Sequence, residues 1–433
     1  MSETRLTALM LLLGGCVAVN LLLWRTGATT SLRYTRMAIA GQASADSWRP
    51  MERALEARDR GERIYATVFF RDREKFQYPP SSLLLPLAVR DAGDGDLALF
   101  RTLNRVGWYA TVVLGLCTAC LAALTWREGS SRPQLARLMV ASGITGAAVL
   151  IFFPATIGYV LGQIQTIVNA AIGVALVCWL TRRESLAGVA VAIAALVKPH
   201  FAVLFLWGAV RRRWPFAAVG AGVFLIGTIA AMAVFGIAEY RDYARVLEHI
   251  GARGEALYAN QTVNGLLNRL IQPAEHRGWD FHSYPPSHTL VLAGTSITSL
   301  ILVTAALFVP PRLGFAGTPV DLAIAWLSVT VASPIAWDHH YGGLLPILVI
   351  GAGAAWARGP RWTAYALAAC AVVTGNLWEP LIDVEAPPWN VVQSYVLAGS
   401  LVILAVLYRL GAAARRSPSG AGYSSADDAD RDD

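Results

Sequence analysis

Apolar runs recur along this chain so regularly that few folds remain open to it. They lie at roughly 6–24, 105–126, 135–153, 164–181, 185–197, 200–210, 214–237, 287–309, 318–336, 341–357, 361–380 and 391–409, with at most two charges in each. A run of about twenty apolar residues reads as a membrane helix, because only a helix satisfies its own backbone in hydrocarbon. The composition agrees. Charged residues make up 15%, against about 25% in soluble domains, and mean hydropathy is +0.47. The expectation is an all-α polytopic membrane protein with about 12 transmembrane helices, forming a single domain over residues 1–410.

Two of the runs, 185–197 and 200–210, are each too short to cross about 30 Å of hydrocarbon. Their flanks pair them. "TRRES" precedes the first and "RRR" (211–213) follows the second. Cytoplasmic loops carry an excess of Lys and Arg, so the chain goes up and comes back, turning at "KPH" (198–200), where Pro199 breaks the helix. The rival reading is one long span from 186 to 210 with Lys198 midway. With the N-terminus inside and an uncleaved first span, "REGSSRPQLAR", "PPRLG", "ARGPR" and "RRSPSG" also fall inside. The net charge of +7 thus reflects topology, and no nucleic-acid motif accompanies it. The tail, 411–433, ends in "SSADDADRDD" and is expected to be disordered and cytoplasmic. The five cysteines all sit in apolar runs and read as small residues at helix contacts.

Two outer loops are long, 25–104 and 238–286. In the first, Met51, Ala54 and Leu55 share one helical face opposite charges, which predicts an amphipathic helix on the membrane surface. "YPPSSLLLPLA" (78–88) is too short to span and is expected to form a re-entrant or oblique helix opened by its prolines. The same "YPPS" returns at 284–287, where it opens a full span.

The uncommon polar clusters all fall on the outer side. They are "ADSWRPM" (45–51), "KFQYPP" (75–80), "GQIQ" (162–165), "KPH", "NQTVNGLLNRL" (260–270) and "WDHHYGG" (337–343). Polar groups at membrane depth are costly and usually functional, so a cavity open to the outside is expected, roofed by the two loops. Each cluster also has a structural reading. Asp46 could cap the helix that follows it. Gln163 and Gln165 could bond between spans, Lys198 could reach up to the interface, and His200 could be a satisfied interfacial histidine. Asp338, His339 and His340 are the hardest to read that way. Three adjacent residues cannot easily face one ion, so no metal and no cofactor is expected.

A carboxylate, cationic groups and amides beside lipid suit transfer from a lipid-phosphate donor. The carboxylate would take the proton of the attacking hydroxyl, and Lys198 and His200 would stabilise the departing phosphate. The ordered pieces "IYATVFF…KFQYPPSSLLLPLA", "LGQIQ", "ALVKPHFAVLFL", "NQTVNGLLNRL" and "SPIAWDHHYGGLLPIL" resemble glycosyltransferase family 87, whose members are polytopic GT-C-type enzymes using polyprenyl-phosphate sugars. The resemblance covers most of 46–348. It implies a GT-C-like helical bundle and an active site on the outer face of the plasma (inner) membrane, with an aspartate of the first outer loop as base. Asp46 stands there, although "DSWRPMERAL" departs from the family's usual text, so Asp59 and Asp72 remain rivals. It also implies that Lys198 and His200 face the donor phosphate and that His339 and His340 lie near donor or acceptor. Tyr78, Gln163, Gln165, Asn260, Gln261, Asn264 and Asp338 complete the expected substrate-binding set.

The implied partners are a polyprenyl-phosphate sugar (mannose favoured), a lipid or glycan acceptor and the membrane lipids. No second carboxylate nucleophile is evident, so inversion is expected. Two other classes fit the same cavity: a flippase or transporter of a lipid-linked solute, and a non-catalytic lipid-binding scaffold. The cytoplasmic side carries no matching polar cluster, which weighs against transport. Asp46→Asn separates them, abolishing transfer while leaving lipid binding intact.

Overall fold

The computed structural model describes residues 18, 20–27, 30–91, 96–126, 132–280, 282–309, 317–358 and 360–413. Most of the expected first span and the tail from 414 onward lie outside these. The described residues are helical throughout, with no named strand and one isolated β-bridge, between Asn260 and Trp337.

Five described helices are long and apolar enough to cross a membrane: Ala98–Thr125, Trp214–Phe235, Thr289–Phe308, Asp338–Ala357 and Trp389–Leu410. A sixth arises if Leu135–Leu150 and Phe153–Val160, bent by 49° at their junction, count as one. This bend departs from the straight span expected over 135–153, and Pro154 at the start of the second helix accounts for it. Four further apolar helices are short: Gln165–Leu180, Glu184–Val197, Pro199–Val210 and Pro319–Val331. The run expected over 361–380 is broken after Gly375, where Asn376 turns extended, and a short helix resumes at Glu379–Ile382. The layers differ in cover. Only 11% of the apolar window of Trp214–Phe235 is buried, against 72% for Asp338–Ala357, so the former is peripheral and the latter central.

The short pair doubles back. Gly188 packs on Phe216 and Gly220, and Leu196 on Gly227, so Glu184–Val197 runs parallel to Trp214–Phe235. Phe205 instead meets Gly220 and Gly208 meets Phe216, so Val203–Val210 returns. One long span over 186–210 is thereby excluded. Gly188 is required for the approach, since a Cβ there would lie 2.4 Å from Phe216 O. The returning arm ends among arginines: Arg211 pairs with Asp321 at 2.7 Å and Arg213 with Glu184 at 3.0 Å. "TRRES" and "RRR" thus share one end of the bundle, while Lys198 and His200 sit at the turn, at the other.

The loop regions are themselves folded. The region 25–104 contains Ser31–Ile39, Trp48–Asp59, a π-turn at Ala66–Arg71, a 3-10 turn at Pro80–Leu83 and Leu84–Asp91, and from Asp96 it runs straight into the next helix. The proline-opened helix at 80–91 is as expected. Met51, Ala54 and Leu55, however, have 0% exposure, so the apolar face of Trp48–Asp59 rests on protein rather than on the membrane surface. Trp48 ties it down through Nε1 to Asn104 Oδ1 at 3.0 Å.

Candidate active site

A cavity of about 920 Å³ opens at the end of the bundle opposite the arginines. Of the expected residues, Asp46, Tyr78, Gln163, Lys198, His200, His339 and His340 line it. Its three walls join chain segments far apart in sequence.

The first wall joins 44–47 to 160–164. Ser44 N bonds Val160 O at 2.8 Å and Asp46 N bonds Leu161 O at 2.9 Å. This close approach requires Gly162, whose φ is +68° and whose Cβ, if present, would lie 2.1 Å from Ser44 O. The Gln163 amide donates to the Asp46 carboxylate and accepts at Oε1 from Ser47 Oγ at 2.6 Å and from Tyr78 OH at 3.2 Å. Ile164 N donates to Ser47 Oγ at 3.2 Å. Asp46 therefore faces the cavity rather than capping Trp48–Asp59, for which Ser47 holds the cap position without a side-chain bond to the helix. The surrounding walls withdraw its carboxyl from bulk water and raise its pKa. The Gln163 bond pulls it down, and Glu255 and Glu74 push it further up. A carboxylate with a raised pKa suits proton uptake near neutral pH. Asp72 is exposed and paired with Arg71 at 2.7 Å, which lowers its pKa; Asp59 pairs with Arg90 at 2.7 Å. Neither lines the cavity.

The second wall carries Lys198 and the imidazoles of His200, His339 and His340. Glu184–Val197 ends at Lys198, whose extended backbone and the following Pro199 turn the chain. Lys198 Nζ meets His340 Nε2. His340 Nδ1 is buried and has no partner among the described residues. The His200 ring lies on Phe201, centroids 4.5 Å apart, and Phe201 stacks on Trp326 at 4.3 Å. His339 is held from behind, its carbonyl accepting from Asn169 Nδ2 at 2.9 Å. Below this wall the lining turns apolar, through Val203, Val303 and Val329.

The remaining expected residues do not line the cavity. Gln165 bonds Asn169 at 3.1 Å inside the bundle. Asn260 has 0% exposure and binds the carbonyls of Glu255 and Pro334. Gln261 ties Tyr258 O and Gln393 O to the amides of Val396 and Leu397. Asn264 packs on Gly254 and bonds Thr295, and Asp338 is buried. Asn260, Gln261 and Asn264 staple the second loop region to the bundle, because a loop at this depth must satisfy its polar groups within protein. Among the described residues no group of three His, Cys, Asp or Glu converges as metal ligands would.

The third wall lies outside the expected site residues, although its "KFQYPP" and "WDHHYGG" clusters are expected at the cavity. Lys75, Gln77, Trp279, His282 and Trp337 line it, and Arg49 and Arg53 face in from Trp48–Asp59. One sequence signal was available. Among 36 Lys and Arg the chain has two lysines, Lys75 and Lys198, and both reach this cavity.

The sequence profile of glycosyltransferase family 87 matches residues 76–336. The polyprenol-phosphate-mannose-dependent α-(1-2)-phosphatidylinositol mannoside mannosyltransferase of Mycobacterium tuberculosis is 27% identical over 312 residues, 71% of this chain and 68% of the relative. The polyprenol-phosphate-mannose-dependent α-(1-2)-phosphatidylinositol pentamannoside mannosyltransferase of Mycolicibacterium smegmatis is 30% identical over 258 residues, 56% of this chain and 57% of the relative. The profile covers more than half of the chain, and so this protein belongs to glycosyltransferase family 87 and is a hexosyltransferase.

Proposed function

We propose that this enzyme transfers mannose from a polyprenyl-phosphate donor to a hydroxyl of a lipid-anchored or glycan acceptor, on the outer face of the plasma membrane and with inversion at the sugar carbon. One observation carries the reading: a single cavity has a carboxylate on one wall, a lysine and histidines on the other, and an apolar extension below. The names of the two relatives supply the donor and the kind of acceptor. The donor phosphate lies against Lys198, His200 and His340, and the start of its chain runs along Val203, Val303 and Val329. Asp46 takes the proton from the acceptor hydroxyl as the new C1–O bond forms. The bond from C1 to the phosphate oxygen breaks, its electrons leave with polyprenyl phosphate, and the Lys198 wall stabilises that charge. About twelve spans within one domain over 1–410, with the arginine end cytoplasmic, complete the proposal.

The test uses purified protein in liposomes with polyprenyl-phosphate mannose and an acceptor lipid extract, following polyprenyl phosphate and the new glycoside by mass spectrometry. Turnover by the wild type and none by Asp46→Asn is expected. Turnover by both would remove Asp46 as the base, and a product of retained configuration would remove the single displacement. Silence with mannose but turnover with another polyprenyl-phosphate hexose would correct the sugar.

A further inference from the structure

The third wall contains an arrangement that proton transfer and phosphate binding leave unused. Trp279 and Trp337 meet nearly at right angles, centroids 4.7 Å apart and planes at 82°. Both line the cavity, and Trp279 keeps 36% exposure. Behind them lies a buried ion pair. Lys75 Nζ is 2.8 Å from Glu255 Oε1, with side-chain exposures of 9% and 4%. Glu255 Oε2 accepts the Trp337 indole N–H at 2.6 Å. The Lys75 ammonium sits 4.0 Å from the Trp279 ring centre and 4.5 Å from that of Tyr284, and Gln77 Nε2 donates to the Tyr284 hydroxyl at 2.8 Å.

A buried ion pair is a poor source of stability, because desolvation offsets much of the attraction. Here its two charges fix the two indoles, one through a hydrogen bond and one through its ring face. The result is a rigid aromatic corner, open on its cavity side, with Gln77 and His282 lining the cavity nearby. A hexopyranose matches such a corner: one ring face is apolar C–H and the rim is hydroxyl, while an indole offers a broad apolar face with little rotamer entropy to lose.

We propose that the corner of Trp279 and Trp337, held by Lys75 and Glu255, is a binding subsite for a hexose ring stacked on its apolar face. The inference rests on the transferase reading for which sugar arrives there, either the donor's transferred hexose or the acceptor's terminal one. Lys75 and Glu255 are positioning residues, acting through the indoles.

Two measurements test it on the full chain in nanodiscs, with wild type, Trp279→Ala and Trp279→Tyr, each confirmed folded by its melting curve. In the first, methyl α-mannoside and methyl α-glucoside are titrated against intrinsic fluorescence. A saturable change in the wild type, lost in Trp279→Ala and kept in Trp279→Tyr, is expected. Curves that coincide in wild type and Trp279→Ala overturn the subsite. In the second, KM is measured for donor and acceptor separately. A rise of about tenfold or more for the acceptor alone in Trp279→Ala assigns the corner to the acceptor sugar, and for the donor alone to the donor sugar; Trp279→Tyr recovers most of either loss. Both values within twofold of wild type overturn it. A wild type that binds hexosides through Trp279 yet never turns over would sink the transferase reading and leave the subsite standing.

Discussion

The two walls of the cavity that carry Asp46 and Lys198 are built on opposite plans. On the Asp46 wall the polar groups answer one another: Gln163 donates to Asp46 and accepts from Ser47 and Tyr78, and Ser47 also takes an amide from the chain. On the Lys198 wall, one lysine and three imidazoles crowd together, Lys198 bonds His340, and His340 Nδ1 has no partner among the described residues. A closed network holds a group at a fixed point, whereas an unanswered polar atom at membrane depth is costly. The difference separates a wall whose polar groups answer one another from the wall on which the donor phosphate is proposed to sit.

The comparison can be broken by substitution. The largest effect is expected from Asp46→Asn, which keeps the shape of the Asp46 wall and removes its base. We expect kcat to fall by about 10²–10⁴, with donor binding in a filter assay unchanged; loss of donor binding would mean that the two walls are not separable. Lys198→Ala should cost about 10²–10³ in kcat by removing a donor to the leaving phosphate, and it should also weaken binding of polyprenyl phosphate itself. If Lys198→Ala binds the product as tightly as wild type, the Lys198 wall is not a phosphate site.

Two smaller effects sharpen the contrast. Gly162→Ala forces a Cβ into Ser44 O and places an L side chain at φ +68°. This costs about 1–2 kcal/mol for the backbone alone, so a lower melting temperature and weaker turnover are expected with unchanged product affinity. Gln163→Ala removes a hydrogen bond to a charged group, costing about tenfold in kcat/KM. The pH profile gives the sign. The base works ionised, so activity falls as pH drops through the raised pKa of Asp46, above the usual carboxylate value near about 4. The Gln163 bond favours the charged form, so losing it should move the acid limb to higher pH. A limb that moves down, or does not move, would detach Gln163 from the base.

The two "YPPS" copies mark how far the sequence could be read. In both, proline precedes a helix. The first copy is enclosed: Pro79, Pro80 and Ser81 are buried, and Tyr78 joins the Asp46 wall. The second leaves Pro286 and Ser287 exposed ahead of Thr289–Phe308. Local letters gave the helix starts and the doubled-back pair, because those follow from apolar length and flanking charge. They could not tell a polar residue that lines the cavity from one that bonds inside the bundle. Gln163 and Gln165 stand two residues apart, yet one bonds Asp46 and the other Asn169. The aromatic corner escaped entirely, since it joins residues 75, 255, 279, 284 and 337 that no periodicity connects.

The doubled-back pair also works as a ruler. Its rising arm, Glu184–Val197, has 14 residues, so it climbs about 21 Å at the α-helical rise. Its foot is pinned among Arg213, Arg211 and Asp321. A hydrocarbon layer is about 30 Å deep. With the arginine end at one face of that layer, as proposed, Lys198 would halt several ångströms short of the other, and the proposed donor phosphate would have to be drawn beneath the plane of the headgroups to meet it. On that reading soluble sugar nucleotides, anchored to nothing, would be poorly placed to compete, and the thickness of the host bilayer would help to decide which lipid-borne sugars come within reach.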